Sequence, residues 1–188
     1  MNIILASQSP RRKELLERMG LSGFEIIPAR GDENCRPGCT PAEMVEELSR
    51  RKCAEVAASR PDALVIAADT VVAIDNQILG KPRGGEQAAR MLRLLSGREH
   101  RVYTGVTVIK DGKASSRAEM TQVHFRAMTE EEIRSYIATG EPMDKAGAYG
   151  YQGRAGVYVQ RIEGDFFNVV GLPLCLLGNM LKELGVIG

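Results

Sequence analysis

Two histidines, four cysteines and a 5% share of aromatic residues leave this 188-residue chain short of several kinds of chemistry. Four cysteines do not make a disulfide framework. Cys35 and Cys39 stand close together in a loop flanked by proline and glycine, but a zinc site needs further ligands. His100 and His124 lie far along the chain without ligand spacing, so the cysteines read as free thiols. No apolar run approaches the ~20 residues of a membrane span. The N-terminus has no basic leader, long apolar stretch and cleavage site, so the chain is expected to stay in the cytoplasm. A net charge of +1 gives no basic excess for a nucleic-acid surface, and the few aromatics leave little for a base-stacking platform. Any strong positive patch is therefore local and suits a small anion better than a polymer. Neither a G-x-G-x-x-G after the first strand nor a Walker A motif occurs, which removes Rossmann and P-loop readings.

What is present reads as an ordinary globular protein, 44% hydrophobic and 26% charged, in one domain over residues 1–188. Ile3 to Leu5 is an apolar strand. Ser9 stands where an N-cap belongs and Pro10 at the first helical position. Phe24 to Ile27 reads as a strand. Thr40-Pro41-Ala42-Glu43 is a capping box opening a helix to Ser59, stopped by Pro61. Ala63 to Ile74 is a long apolar strand, turned at Asp75-Asn76 into a return strand near Ile78-Leu79. Gly85 to Leu95 is helical. Val102 to Ile109 and Ala118 to Phe125 form a hairpin through Asp111-Gly112. Thr129 and Glu132 cap another helix that Gly140 stops. Strands follow near Val157 to Ile162 and, after Gly164-Asp165, over Phe167 to Val170. Pro173 to Leu184 is a last helix. Interspersed strands and helices with several hairpins predict an α/β fold, a mixed sheet flanked by helices.

Several residues sit where a purely structural reading is strained. Arg11, Arg12 and Lys13 crowd the first turn of a helix whose dipole is already positive there, which makes sense if an anion such as phosphate sits on it. A solvated basic turn is the plainer alternative. Asp69 interrupts a buried strand; it must pair with a buried cation, or serve as metal ligand or general base. Lys52 lies on the inward stripe Met44, Leu48, Lys52, Val56, and either snorkels past the core or reaches a phosphate. Lys81 is a solvated turn lysine, unless the preceding hairpin brings it back toward Asp69. Asp32 and Glu33 are loop carboxylates, solvated or part of a Mg²⁺ or Mn²⁺ site with Asp69. In Gly147 to Gly153 the small residues let a flat ligand approach the backbone. Gln152 carries a donor and an acceptor on one amide, matching a uracil or thymine edge, or else faces solvent.

Taken in order, Leu5-Ala6-Ser7-Gln8-Ser9-Pro10-Arg11-Arg12, Ala67-Ala68-Asp69-Thr70-Val71-Val72, Gly80-Lys81-Pro82 and Leu95-Ser96-Gly97 with His100 form the first half of a pattern. Thr104-Gly105-Val106, Asp144 to Tyr149, Gln152-Gly153 and Asn168 to Leu174 complete it. This ordered set resembles the Maf family of nucleotide pyrophosphatases, linked by name to septum formation, over essentially the whole chain. The resemblance implies an elongated α/β fold of the inosine triphosphate pyrophosphatase type, with two lobes around a cleft. It also implies metal-assisted hydrolysis of nucleoside triphosphates to monophosphate and pyrophosphate. Gln152, rather than Glu, points to the branch acting on dTTP and UTP, with modified pyrimidine triphosphates as further candidates. By the same resemblance Asp69 is the proton acceptor, and Arg11, Thr70 and Gln152 govern substrate choice. Ser9, Arg12, Glu33, Lys52 and Lys81 belong to the same active region, with Asp69 and Glu33 toward the metal. A homodimer is also suggested. Tyr151 and Phe166-Phe167 depart from the family's usual residues and are expected to reshape a pocket wall. The rival reading is a nucleotide-binding regulator without turnover, which pyrophosphate release would separate.

Overall fold

The protein is described here as a computed structural model covering residues 2–31 and 38–187. Asp32, Glu33 and Cys35 lie outside the described residues. Seven strands form one mixed sheet in the order β2-β1-β3-β5-β6-β7, with β4 paired to β3. They are β1 (Ile3–Leu5), β2 (Glu25–Ile26), β3 (Leu64–Ile74), β4 (Gln77–Leu79), β5 (Glu99–Lys110), β6 (Lys113–Phe125) and β7 (Val159–Glu163). β1 runs parallel to β2 and β3, whereas β3–β4 and β6–β7 are antiparallel. The helices are α1 (Pro10–Arg18), α2 (Pro41–Ser59), α3 (Gly85–Leu95), α4 (Glu130–Ala138), α5 (Phe166–Val170) and α6 (Leu174–Glu183). None of the described helices is long and apolar enough to cross a membrane.

Local signals explain most of these bounds. Thr40 and Glu43 form the reciprocal capping box at α2, and Thr129 and Glu132 the one at α4. Asp75 and Asn76 take left-handed conformations, the geometry of a tight two-residue hairpin turn between β3 and β4. One expectation fails. Phe167 to Val170 is not a strand but the body of the short helix α5. The Asp165 carboxylate accepts the Phe167 N–H at 2.7 Å, and the Asp165 carbonyl accepts Val169 N–H. That local bonding starts a helical turn. Asn168 then donates to the Val102 carbonyl and to Thr121 Oγ1 from inside the core.

The chain divides into two compact units. The first takes residues 1–69, 104–119 and 171–188. Its core holds Ile4, Ala6, Cys53, Val56, Ala63, Val65 and Ala67, between α2 and strands β1 and β3. Helix α2 is seated very closely on β5: a Cβ at Gly105 would lie 2.2 Å from the Val45 carbonyl oxygen. Buried hydroxyls continue the seam, Ser49 to Thr107 at 2.9 Å and Thr107 to Ser116 at 2.8 Å. Cys53 Sγ–H reaches the Val65 carbonyl, and burial pushes that thiol up to about 12, so it is inert.

The second unit takes residues 70–103 and 120–170. Its core is larger, with Val72, Leu92, Leu95, Val123, Phe125, Ile133 and Tyr149 among its members. His100 is buried in it, packed edge-on against Phe125 and Tyr149, with Nε2 sharing a hydrogen bond with the Tyr149 hydroxyl at 2.8 Å. Its Nδ1 has no hydrogen-bond partner among the described residues. Burial, with a smaller contribution from His124, lowers the His100 pKa from 6.5 to about 3. The folded protein thus keeps this ring neutral where the unfolded chain protonates it. The associated stability is complete above pH 6.5 and is lost as the pH falls toward 3. Urea unfolding at pH 7.5, 6.5 and 5.5 should show a loss approaching about 1.4 kcal/mol per pH unit from this group. His100→Gln should flatten that part of the curve; an unchanged slope would mean the ring protonates while folded.

Candidate active site

The first unit holds Ser9, Arg11 and Arg12 at the start of α1. Ser9 is extended, and its Oγ accepts the Arg12 N–H at 3.4 Å, while Pro10 opens the helix. Ser7 Oγ accepts the Ser9 N–H at 3.2 Å and Arg12 Nη1 at 3.3 Å. Arg12 Nε donates to the Gly171 carbonyl at 2.8 Å. The guanidinium is thereby fixed beside the helix end by a residue far along the chain. Arg11 is half-buried on the same turn. Lys13 differs: it is exposed and pairs with Glu17 at 3.8 Å, so the solvated reading holds for it.

Lys52 and Asp69 meet. Lys52 Nζ donates to Asp69 Oδ1 at 2.5 Å, with the two side chains only 18% and 12% exposed. Lys52 therefore does not snorkel past the core, and Asp69 has the buried cation partner that one of the two open readings required. The pairing sets a cation against the carboxylate in a strand whose neighbours Ala67 and Ala68 are fully buried. It also fixes its direction, since β3 is rigid on one side and α2 on the other.

Thr70, Lys81 and Gln152 belong to the second unit. Thr70 is half-buried; Lys81 and Gln152 are exposed. Two residues beyond Thr70, Val72 packs against Gly147, where a Cβ would lie 2.8 Å from Val72 Cγ2. Gly147 N–H donates to the Gly80 carbonyl at 3.1 Å, next to Lys81. The segments carrying Thr70 and Lys81 are thus tied to the start of the glycine-rich stretch. Gly147 and Ala148 are both left-handed, and Ala148 is fully buried. An alanine held at positive φ marks a turn that its surroundings fix firmly.

The glycines of this stretch leave room for this protein's own side chains. A Cβ at Gly150 would lie 2.5 Å from Lys145 Cε, and one at Gly153 would lie 2.1 Å from Glu141 Oε1. Tyr151 and Phe166, two of the departures from the family pattern, touch each other with ring centroids 5.0 Å apart. Sequence reasoning did not single out Glu141 or Tyr136. The one available signal was an acid and a phenol placed shortly before a stretch dense in glycine.

Among the described residues, no group of three or more His, Cys, Asp or Glu is placed to hold a metal ion. Asp69 offers a single carboxylate. That suits a small hard cation such as Mg²⁺, which takes one or two carboxylates and completes its shell with water and substrate phosphate. Glu33, the other expected ligand, lies outside the described residues.

Removing one partner of the Lys52–Asp69 pair strands a largely buried charge. Lys52→Ala should cost about 2–3 kcal/mol in urea unfolding, reduced from the fully buried case by the residual exposure of both groups. Lys52→Met combined with Asp69→Asn should recover much of it. A loss in the double variant equal to the sum of the losses from Lys52→Met and Asp69→Asn alone would show that the pair carries no coupling.

Residues 2–184 match the Maf-like protein family, and the chain belongs to it. A relative from Pelotomaculum thermopropionicum named dTTP/UTP pyrophosphatase is 53% identical over 185 residues, 97% of this chain and 96% of its own length. Another of that name from a Geobacillus species is 54% identical over 183 residues, covering 97% and 98%. A third, from Thermococcus gammatolerans, is 50% identical over 183 residues, covering 97% and 96%. Among solved structures, a HAM1 protein from Coxiella burnetii shares the fold at a TM-score of 0.53 with 16% identity, covering 97% of this chain and 99% of that one.

Proposed function

We propose that this chain hydrolyses dTTP and UTP to the nucleoside monophosphate and pyrophosphate. Near-full-length relatives at about half identity bear that name. The observation that carries the chemistry is Asp69, a strand-borne carboxylate paired with Lys52 in a mostly apolar setting. A carboxylate held in this way can serve as a general base.

In this reading water attacks the α-phosphorus. The new bond joins the water oxygen to that phosphorus, and the bond from the phosphorus to the bridging oxygen breaks. Pyrophosphate leaves with the bridging oxygen, and one water proton passes to the Asp69 carboxylate and on to solvent. Ser9 shapes the start of α1, where Arg12 and Arg11 offer positive charge to the phosphates. Lys52 holds the Asp69 oxygen, and Lys81 adds a further cation. A Mg²⁺ or Mn²⁺ ion, held through Asp69 and in the proposal also Glu33, would supply charge neutralisation on the phosphate oxygens when bound. Gln152 reads the base: its exposed amide donates to a pyrimidine carbonyl and accepts from N3–H, with Arg11 and Thr70 helping to place the nucleotide.

Pyrophosphate release should be scored over normal and modified nucleoside triphosphates with Mg²⁺ and with Mn²⁺. UTP and dTTP are expected to lead; binding without release would favour a regulator instead. Asp69→Asn should keep the fold and lose about 10²–10⁴-fold in kcat, the usual span of a general base. Near-normal turnover would remove Asp69 from the reaction. Gln152→Glu should disfavour UTP and dTTP, because a carboxylate cannot donate to the base carbonyl. An unchanged preference would assign base reading to another residue.

A further inference from the structure

The segment Gly150 to Arg154, which carries Gln152, is held by two side chains that no step of the reaction uses. The Glu141 carboxylate accepts the Arg154 backbone N–H with both oxygens, at 3.1 Å each. It also accepts the Tyr136 hydroxyl at 2.9 Å. Tyr136 in turn accepts the Gly150 backbone N–H at 3.2 Å. The two ends of the loop therefore hang on one carboxylate–phenol pair. Lys145 closes the third side, with Nζ donating to the Glu141 carbonyl at 2.7 Å and its stem filling the space where a Gly150 side chain would go. The loop is bonded across its own base as well, Gly153 N–H to the Gly150 carbonyl at 3.1 Å.

Chemistry fixes the direction of these bonds. Burial and the nearby Glu141 charge push the Tyr136 pKa up, so the phenol keeps its proton and donates it to the carboxylate. Its oxygen lone pairs remain for Gly150. An ionised carboxylate accepts from several donors at once, which an amide of the same size cannot do because half of it is itself a donor. Gly153 has no side chain because the Glu141 carboxylate occupies that place. The glycines of the loop and the acid beneath it are one packing unit.

We infer that Glu141 is a specificity-positioning residue: its carboxylate, with Tyr136, clamps the backbone on both sides of Gln152 and so sets where that amide meets the pyrimidine edge. The inference rests on Gln152 reading the base. Glu141 touches no reacting atom in this account; it acts through the loop. Base discrimination by a single amide needs its donor and acceptor placed to a fraction of an ångström, so loosening the clamp should blur the choice of base more than it slows the chemistry.

The test is a double-mutant cycle read as kcat/KM for UTP against CTP, with kcat and KM taken apart. Glu141→Gln is expected to reduce the preference for UTP about ten-fold, chiefly by raising KM for UTP. In a Gln152→Ala background the same substitution should change the preference less than two-fold, because the group it positions is gone. Circular dichroism and thermal melting establish that each variant is folded. Should Glu141→Gln fail to fold, Tyr136→Phe takes its place and should shift the preference the same way by about two- to five-fold. If Gln152→Ala erodes the preference while Glu141→Gln and Tyr136→Phe leave it intact, the clamp is refuted and the base-reading role stands. If Glu141→Gln acts equally with and without Gln152, Glu141 works by another route and the inference fails. If Gln152→Ala itself leaves the preference unchanged, the base-reading role fails and takes this inference with it.

Discussion

The contact between Lys52 and Asp69 is the constraint around which the first unit is arranged. A carboxylate in the middle of an apolar strand is unfavourable by several kcal/mol unless its charge is met. A lysine meets it from the inward side of α2 at 2.5 Å. That distance holds only if helix and strand are kept in fixed register. The register comes from elements with no charge at all: the missing side chain at Gly105 under the Val45 carbonyl, the chain of hydroxyls Ser49, Thr107 and Ser116, and Cys53 against the Val65 carbonyl. Polar contacts at the helix–sheet seam serve here less to add stability than to specify one position for the helix. A wholly apolar seam would tolerate sliding; one with a backbone contact and directional hydroxyls does not.

Arg12 shows the same economy in α1. A guanidinium in the first turn is disfavoured by the helix dipole, and the turn itself holds no acid. The chain answers with neutral acceptors, the Gly171 carbonyl and the Ser7 hydroxyl. Both acceptors orient the guanidinium. Lys52 meets an acid directly, Asp69 at 2.5 Å, and so fixes that carboxylate in place.

Elements announced by local chemistry were legible in the sequence. The capping boxes at Thr40 and Thr129, the prolines at helix starts and the Asp75-Asn76 and Asp111-Gly112 turns act within a few residues, and the structure follows them. Strands β5 and β6 run further than their β-like residues, because ladder pairing carries polar residues such as Glu99 and Lys113 along with it. Phe167 to Val170 reads in the sequence as a return strand after the Gly164-Asp165 turn. It is a helix because Asp165 bonds forward to Phe167 and because Asn168 is claimed by Val102 and Thr121, partners distant in sequence. Asp69 stood out as a charge among aliphatics. The choice between a paired and a functional acid was not legible, since Lys52 lies on another element and only packing brings it across.

The glycine-rich stretch carries the most instructive difference. Read as sequence, a run of small residues before Gln152 suggests backbone bared for a ligand. In the structure each glycine is small because something of the protein's own presses on it: Val72 at Gly147, Lys145 at Gly150, Glu141 at Gly153. The consequence is the reverse of flexibility. A loop whose glycines are filled from beneath, whose ends are bonded to Tyr136 and Glu141, and whose Tyr151 ring leans on Phe166 has few conformations left. Gln152 is exposed on this frame. For the base reading proposed for Gln152, a fixed frame is what hydrogen-bond discrimination between similar bases requires, because a mobile frame would let the amide turn over and accept the wrong partner.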